Sequence, residues 1–469
     1  MLLDLNKQYT IKPEWILRND LNYHSKYTMY NVNTNNLMVL SPALYSILKI
    51  LYYNSVSLNE LNNFVLRKCH LNLNLDHLRN IEEEHQVQLF CESNKPFHFY
   101  NQYYHSEDKI LNTNIPLAST PIDVEIHFTH NCNLKCLHCF QNSSPISETK
   151  EDLLTVKEWV EIFRQFVYLN INNVIISGGE PLYYYAAKEL LKVISTMPIA
   201  IYILTNGLLI DDEYLEIFKS KNINLNISLD GYRKETHEIL RGKNTFIRTE
   251  TNIKKLLQQK TYVTLSHTIH KQNYLEIELF IKYLIDLGVP EVAFGFVEAL
   301  GRAELNKYLL LSIEDELNCL KLLKDVKHKY SSKIKIDFPS LSIIQNAPDY
   351  GNDDLVFCSA GTRRIAISSD GKLYPCISGI DNENLQVGDL KRDKIIDIWE
   401  NEQLWVLLRG GINIKDIKTC SDCVLKNSCS FRNCRIKYYT SVDKMYAKPK
   451  NCMMDKAKMI GLEKLLSIV

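Results

Sequence analysis

From residue 122 onward the spacing of apolar positions switches repeatedly between two periods. Ile122-Asp123-Val124-Glu125-Ile126-His127-Phe128 alternates apolar and polar, the pattern of a strand with two unlike faces. Strand-length apolar runs follow over Asn173–Ser177, Ala200–Thr205, Ile223–Leu229, Tyr262–Ile269 and Glu291–Val297. Between them, Thr155–Leu169, Tyr184–Thr196, Asp211–Ser220 and Tyr274–Leu287 have the helical period. Strand–helix units in this order predict an α/β fold with a parallel sheet and right-handed crossovers. Curled into a partial (β/α)6 barrel, such a sheet carries its functional loops at the C-terminal ends of its strands.

The flanking segments have other rhythms. Tyr27–Leu40 alternates in part around Asn33-Thr34-Asn35-Asn36, a turn signal, and reads as a hairpin. Ser41-Pro42 opens a helix to about Tyr53, with Ser as the cap and Pro in the first turn. Ser57-Leu58-Asn59-Glu60 is a capping box for a second helix to about Arg67, and a third is expected over Asp76–Gln88. Strands followed by short helices suit a small winged-helix-like domain over residues 1–100. Residues 101–121 read as a linker. After the barrel segment, 122–330, which ends in an amphipathic helix over Ser312–Tyr330, comes a cysteine-rich domain over 331–469. In it, Ser369-Asp370-Gly371 between Ile365–Ile367 and Lys372–Tyr374 signals a hairpin, and Ile395–Arg409 reads as one amphipathic helix.

Composition narrows the function. At 469 residues the chain is too long for one ordinary core. Its 55 Lys and Arg balance 55 Asp and Glu, so nothing points to nucleic acid as a partner. No apolar run reaches membrane-spanning length, and Met1-Leu2-Leu3-Asp4-Leu5-Asn6-Lys7 is not a signal peptide, so a cytoplasmic protein is expected. Thirteen cysteines in that compartment suggest metal or redox chemistry rather than disulfides.

The chemistry concentrates where the first strand ends. Cys132, Cys136 and Cys139 stand at C-x3-C-x2-C spacing on the loop that follows it. Thiolates favour iron–sulfur clusters or zinc, and on the triplet alone a partial zinc site or unrelated thiols compete. Later strands end in Ser177-Gly178-Gly179-Glu180-Pro181, Thr205-Asn206-Gly207 and Ser228-Leu229-Asp230-Gly231, with Arg241 beyond; Gly301-Arg302 after the sixth is a weaker signal. Glycines allow close backbone approach to a ligand, and Glu180 can accept hydrogen bonds from an ammonium group. Singly these are turn sequences; together, at successive strand ends, they form a site. A second array comprises Cys358, Cys376, Cys420-x2-Cys423-x5-Cys429-x4-Cys434 and Cys452. Cys319 falls in the helix Ser312–Tyr330 and reads as core, and Cys69 and Cys91 as ordinary thiols.

With these motifs the chain resembles the radical S-adenosyl-L-methionine (SAM) superfamily and, within it, the SPASM-domain peptide maturases of the sactipeptide, thioether-forming type. The resemblance implies a 4Fe-4S cluster on Cys132, Cys136 and Cys139 with one iron open to the amino and carboxylate groups of SAM. One electron then cleaves SAM to a 5'-deoxyadenosyl radical, which takes a hydrogen atom from the substrate. It implies that Gly178, Gly179 and Glu180 hold the SAM amino group. Ser228 and Arg241 would reach the ribose or carboxylate, Asn206 belongs to the same site, and His138 would contact adenine. It further implies two auxiliary 4Fe-4S clusters, the outer on Cys420, Cys423, Cys429 and Cys452, the inner on Cys358, Cys376 and Cys434. The family usually has three residues, not four, before the position of Cys434. Only three cysteines remain for the inner cluster, and residues 350–357 supply no other, leaving an open iron that could activate a substrate thiol, unless Asp353 or Asp354 ligates.

Trp15-Ile16-Leu17-Arg18 and Leu40-Ser41-Pro42-Ala43 resemble the peptide-recognition domain found ahead of such maturases, where a leader peptide adds to a sheet edge. The implied enzyme oxidises a ribosomally made precursor peptide and forms a thioether from cysteine sulfur to carbon, with flavodoxin or ferredoxin as reductant. A carbon–carbon cross-link or an epimerisation are alternatives. A sulfatase maturase fits less well, because Ile377 follows Cys376 where that group has an acid–base Asp. A non-catalytic peptide-binding scaffold fits least.

Overall fold

In a computed structural model, residues 6–20, 27–53, 55–69, 75–84, 87–93, 117–149, 152–338, 355–356, 358–380, 382–409, 412–413, 416–417, 419–423 and 436 are described. Residues 8–92 hold β1 (Gln8–Ile11), β2 (Trp15–Asn19), β3 (Tyr27–Asn31), β4 (Asn36–Val39), α1 (Pro42–Tyr53), β5 (Val56–Ser57), α2 (Leu58–Cys69), α3 (Leu75–Glu84) and β6 (Phe90–Glu92). The expected hairpin and helices are present. The structure adds β1, β2 and β6, giving antiparallel sheets in the orders β5-β1-β6 and β2-β3-β4 around one core that includes Trp15, Met29, Leu48 and Leu51. The strand β2 is buried at every position. It therefore lacks the alternation that would have marked it as a strand.

The central unit runs β7 (Asp123–Thr129), α4 (Val156–Tyr168), β8 (Asn173–Gly178), α5 (Ala187–Ile194), β9 (Ala200–Thr205), α6 (Asp212–Ile217), β10 (Ile223–Ser228), α7 (Lys234–Arg241), α8 (Phe246–Gln258), β11 (Val263–Ile269), α9 (Ile277–Leu287), β12 (Glu291–Phe296), α10 (Ile313–Tyr330) and β13 (Lys335–Asp337). Strands β7 to β13 pair in sequence order, all parallel, as a partial barrel under its helices. Period-2 alternation gives each strand a role on each face. Val124, Ile126 and Phe128 pack with Trp159, Phe163 and Phe166 of α4. Asp123, Glu125, His127 and Thr129 take the opposite, inner face. Local chemistry sets the helix ends: Thr155 and Glu158 close a capping box at α4, and Gly288, at φ +84°, terminates α9 in the left-handed region.

The last unit has β14 (Leu355–Val356), β15 (Arg364–Ile367), β16 (Lys372–Tyr374), β17 (Gly388–Asp389), α11 (Ile395–Glu400), α12 (Glu402–Arg409) and β18 (Ile412–Asn413). It is continuous with the barrel, because β15 pairs in parallel with β7 and carries β16 and β17 on its far side. The expected single helix over Ile395–Arg409 is two, broken at Asn401. Trp405 Nε1 donates to the carbonyl of Ile398 (2.8 Å) and Arg409 Nη1 to that of Trp399 (2.7 Å). Side chains of α12 thus satisfy the carbonyls at the end of α11, and the chain doubles back instead of continuing.

Candidate active site

The cysteine loop leaves the C-terminal end of β7 and is folded largely by its own polar groups. Asn131 Oδ1 accepts from the backbone N–H of Ser147 (2.5 Å) and Glu148 (2.9 Å), while its Nδ2 donates to the Glu148 carbonyl (3.0 Å). The Glu148 carboxylate accepts from the Thr129 hydroxyl (3.0 Å), the His130 N–H (2.5 Å) and the Ser369 hydroxyl. One acid therefore ties the loop back to its strand and to the β15–β16 turn.

Within the loop, Cys132 and Cys136 are 9% and 8% exposed, and Cys139 is half-buried. Burial pushes the Cys132 thiol up to about 12, helped by Glu180 and by the other two thiols. Burial raises Cys136 as well, against the opposing pull of Arg241. Among the described residues no three His, Cys, Asp or Glu side chains close on a point as the ligands of a single ion would. A cube takes one thiolate on each iron, so its ligands stand wider apart. Buried thiols that repel each other's ionisation are stabilised as thiolates by a bound cationic cluster. The donor set therefore fits a 4Fe-4S group held by Cys132, Cys136 and Cys139.

The Ser-Gly-Gly-Glu segment meets this loop in a way the sequence did not suggest. Besides allowing close approach of a ligand, as expected, bare backbone serves a second end here: a Cβ on Gly179 would lie 2.1 Å from the Asn131 carbonyl oxygen and 2.5 Å from that of His130. Gly179 N–H donates to the Thr129 carbonyl (2.8 Å) and Glu180 N–H to that of Asn131 (2.9 Å). Bare backbone is needed here to lay one loop on another. Glu180, 1% exposed, accepts from Thr205 Oγ1 (2.6 Å), Leu182 N–H (3.1 Å) and Asn206 N–H (2.8 Å). Three of roughly four lone-pair positions are filled, leaving Oε2 room for one further donor such as an ammonium group. Asn206 Nδ2 donates to Asn133 Oδ1 (2.8 Å), joining the β9 end to the cysteine loop.

Across the site, Arg241 Nε donates to Asp230 Oδ2 at 2.5 Å, and Asp230 Oδ1 accepts from Thr268 N–H (2.8 Å). Asp230 is fully buried. Burial works to raise its carboxyl, but Arg241 and the surrounding imidazoles outweigh it and hold it well below the usual range. The guanidinium, so anchored, lies beside Cys136. Burial, with Arg241, lowers His138 to about 4, and its Nδ1 is buried without a hydrogen-bond partner among the described residues. That orphaned nitrogen is a fitting contact for a heterocycle. Ser228 lies on the inner face of β10, its hydroxyl 3.4 Å from that of Ser266.

Two residues gain weight. Arg302, at first only part of a weak motif, clamps the loop: Nε donates to the Cys136 carbonyl (2.8 Å), Nη2 to that of Ser143 (2.6 Å), and its own N–H to that of Cys139 (2.9 Å). Asn306 Nδ2 adds a bond to the Leu137 carbonyl (3.2 Å). Glu125 belongs to none of the motifs. It stands on the inner face of β7, accepting from Arg364 Nη1 (3.0 Å) and from the N–H of Ile377 (3.2 Å), and burial raises its carboxyl. A carboxylate therefore does reach the position after Cys376, from another strand. Alternation along β7 puts Glu125 on the inner face, and that signal was legible.

In the second array, Cys358, Cys376 and Cys420 pack around one small core with Ala366, Tyr374 and Ile417, while Cys423 packs on the main core. Cys429, Cys434 and Cys452 lie outside the described residues, as do Asp353 and Asp354.

Comparison with known proteins agrees with this layout. Residues 126–284 match the radical SAM superfamily, and residues 358–424 match SPASM, an iron–sulfur cluster-binding domain. The chain is similar to the antilisterial bacteriocin subtilosin biosynthesis protein AlbA of Bacillus subtilis, 28% identical over 295 residues, which are 61% of this chain and 61% of AlbA. It thus spans under two thirds of that relative's length. It is also similar to the sporulation killing factor maturation protein SkfB of the same organism, 27% identical over 300 residues, 63% of this chain and 69% of SkfB. The fold matches Streptococcus suis SuiB bound to its precursor peptide SuiA, with a TM-score of 0.72 and 18% identity over 92% of this chain and 98% of that one. The cysteine loop at the end of β7 and the polar strand ends around it thus belong to a radical SAM domain, and the second cysteine array on the same sheet begins in a SPASM domain.

Proposed function

We propose that the chain is a radical SAM maturase of a ribosomally made peptide, and that it closes a thioether between a cysteine sulfur and a carbon of the same peptide. The observation that carries this reading is the continuity of β15 with β7. One strand delivers Cys132, Cys136 and Cys139. Its neighbour β15 turns back into β16, and Cys376 follows the end of β16, so both cysteine groups hang from the same sheet. Oxidative bond formation releases an electron, and a cluster held by Cys376 and its partners in the second array would supply an acceptor for it. The resemblance to proteins named for bacteriocin biosynthesis and killing-factor maturation supports a peptide as substrate.

In this reading Cys132, Cys136 and Cys139 hold the first cluster. Glu180, His138, Asn206, Ser228 and Arg241, with the Gly178-Gly179 backbone, surround SAM. Cys358, Cys376, Cys420 and Cys423, with Cys429, Cys434 and Cys452, hold the auxiliary clusters. Bound there, SAM and its cluster supply hydrogen-atom abstraction. The chain supplies aim and dryness: Asp230 fixes the Arg241 guanidinium, and Arg302 and Asn306 hold the cysteine loop down. Glu125 offers a carboxylate on the barrel wall beside the auxiliary domain. The leader would add to β4, which among the described residues is an unpaired edge of its sheet and exposes Leu37 and Val39 (55% and 64%).

The test is reductive incubation of the reconstituted protein with SAM and the short peptide encoded beside its gene, followed by mass spectrometry and thiol counting. Loss of two hydrogens together with one free thiol is expected. Loss of two hydrogens with every thiol retained would replace the thioether with a carbon–carbon link, and absence of 5'-deoxyadenosine would overturn the enzyme assignment.

A further inference from the structure

The barrel is also open at the end away from the cysteine loop. A cavity of about 880 Å³ enters there, between the N-terminal ends of β10 to β13 and the turn Asn33–Asn35 that joins β3 to β4. That volume suits a ligand of several residues. The walls are polar and strand-borne: Tyr202, Asn224, Asn226 and Thr264 all line it. They also lead toward the site. Asn226 is the inward position next to Ser228 on β10, about 7 Å along the strand. At the lip stand Lys219, Lys221, Lys260 and Lys335, with Glu291 the only acid lining it among the described residues. Lys219 pairs with Glu216 and Lys335 with Glu291, whereas Lys221 and Lys260 have no ion-pair partner among the described residues.

One wall residue carries an unsatisfied donor. The Tyr202 hydroxyl donates to Asn35 Oδ1 (2.8 Å), and Asn35 Nδ2 donates in turn to Asn224 Oδ1 (3.5 Å). That orientation leaves Asn224 Nδ2 buried with no acceptor among the described residues. A buried donor of this kind costs free energy while it has no acceptor, so a small shift of the Asn224 amide toward a ligand in the cavity would be favoured. The location of the turn matters too. The edge strand β4 begins at Asn36, one residue past the cavity wall. A peptide paired along β4 therefore has one of its ends at the cavity mouth.

We propose that this cavity is the entry for the peptide substrate, taking an extended stretch with acidic side chains from the β4 edge, past Lys221 and Lys260, up the inner face toward the cysteine loop. The proposal rests on the peptide-maturase reading, and its test is separable from that reading. The probes are fluorescein-labelled (Gly-Glu)5 and (Gly-Lys)5, read by anisotropy against full-length, cluster-reconstituted protein. The wild type should prefer the glutamate peptide, and Lys221→Glu/Lys260→Glu should lose roughly tenfold in affinity for it and reverse the preference. Lys221→Gln/Lys260→Gln should fall between, and about 0.5 M salt should erase the difference. Equal binding of the two peptides by the wild type, no binding by it, or indifference to charge reversal would each overturn the proposal. Peptide-free 5'-deoxyadenosine formation should be unchanged in both variants, which shows that they are folded. Its absence from the wild type would count against the radical SAM reading alone.

Discussion

Arg302 contributes to the site without being one of its proposed ligands. Its guanidinium and backbone N–H hold three carbonyls of the cysteine loop, those of Cys136, Cys139 and Ser143. Arg302→Ala should lower bound iron per chain and broaden the cluster EPR signal. Arg302→Lys should restore iron only in part, because one ammonium cannot reproduce the two-pronged geometry. Replacement of Cys132, Cys136 or Cys139 by Ala should abolish 5'-deoxyadenosine formation, because the cluster loses a ligand; retention in any of the three would remove that residue from the set. The histidines behind the loop predict a pH dependence. Burial lowers His237 and His267 to about 4. Each stays neutral in the folded chain while the unfolded chain protonates near pH 6.5. Between about pH 6.5 and 4 the unfolded state binds more protons, so stability should fall as pH falls, by about 1.4 kcal/mol per unit for each buried imidazole. Chemical denaturation across that range checks it, and a flat profile would mean that these rings are already charged in the fold.

The elements show what local patterning specifies and what it leaves open. Of the barrel, β10 and β11 alternate buried and half-buried positions along their length, and their limits follow from that rhythm. The strand β2 is buried throughout by contacts that come from elsewhere in the chain, and nothing in its own five residues announces it. The break at Asn401 is likewise set by Trp405 and Arg409 reaching back from the next helix. The edge strand β4 exposes Leu37 and Val39 while Met38 is buried. Leu37→Asp/Val39→Asp should therefore change thermal stability little, as exposed substitutions do, within about 0.5 kcal/mol each. It should weaken binding of the precursor peptide by at least roughly tenfold if the leader adds to this edge. Unchanged affinity by titration calorimetry would move leader recognition elsewhere.

At the scale of the molecule, the N-terminal unit is tied into the barrel. Arg18 is 1% exposed and donates to both Asp20 oxygens (2.9 and 2.8 Å) and to the carbonyls of Pro121, Asn170 and Thr120. The Tyr30 hydroxyl donates to Asn173 Oδ1 (2.8 Å) across the same seam. Arg18→Ala would leave Asp20 buried beside unpaired carbonyls, and should cost on the order of 3–5 kcal/mol, read as a drop in the denaturation midpoint. Loss of less than about 1 kcal/mol would mean that the seam is wet or readily opened. At the other seam, Glu148 and Glu125 bond to the auxiliary unit through Ser369 and Ile377. The N-terminal unit, barrel and auxiliary unit thus share polar seams as well as apolar packing.

Periodicity and short motifs were enough for the order of strands and helices, the barrel, and the loops at which chemistry gathers. Those features depend on neighbours within a few residues, which a sequence displays directly. The same holds for Cys132, Cys136 and Cys139 as one group, since a tight loop keeps near neighbours together. Three things depended on tertiary structure. Gly179 is bare because the carbonyls of His130 and Asn131 press on it. Glu125 acquires a chemical setting only when Arg364 and Ile377, more than two hundred residues away, arrive beside β7. The turn Asn33–Asn35 becomes a wall of the barrel cavity only when Tyr202 and Asn224 meet it. Contacts between residues far apart in the chain leave no period in the sequence, because each partner is chosen by the packed surface and not by its neighbours along the chain.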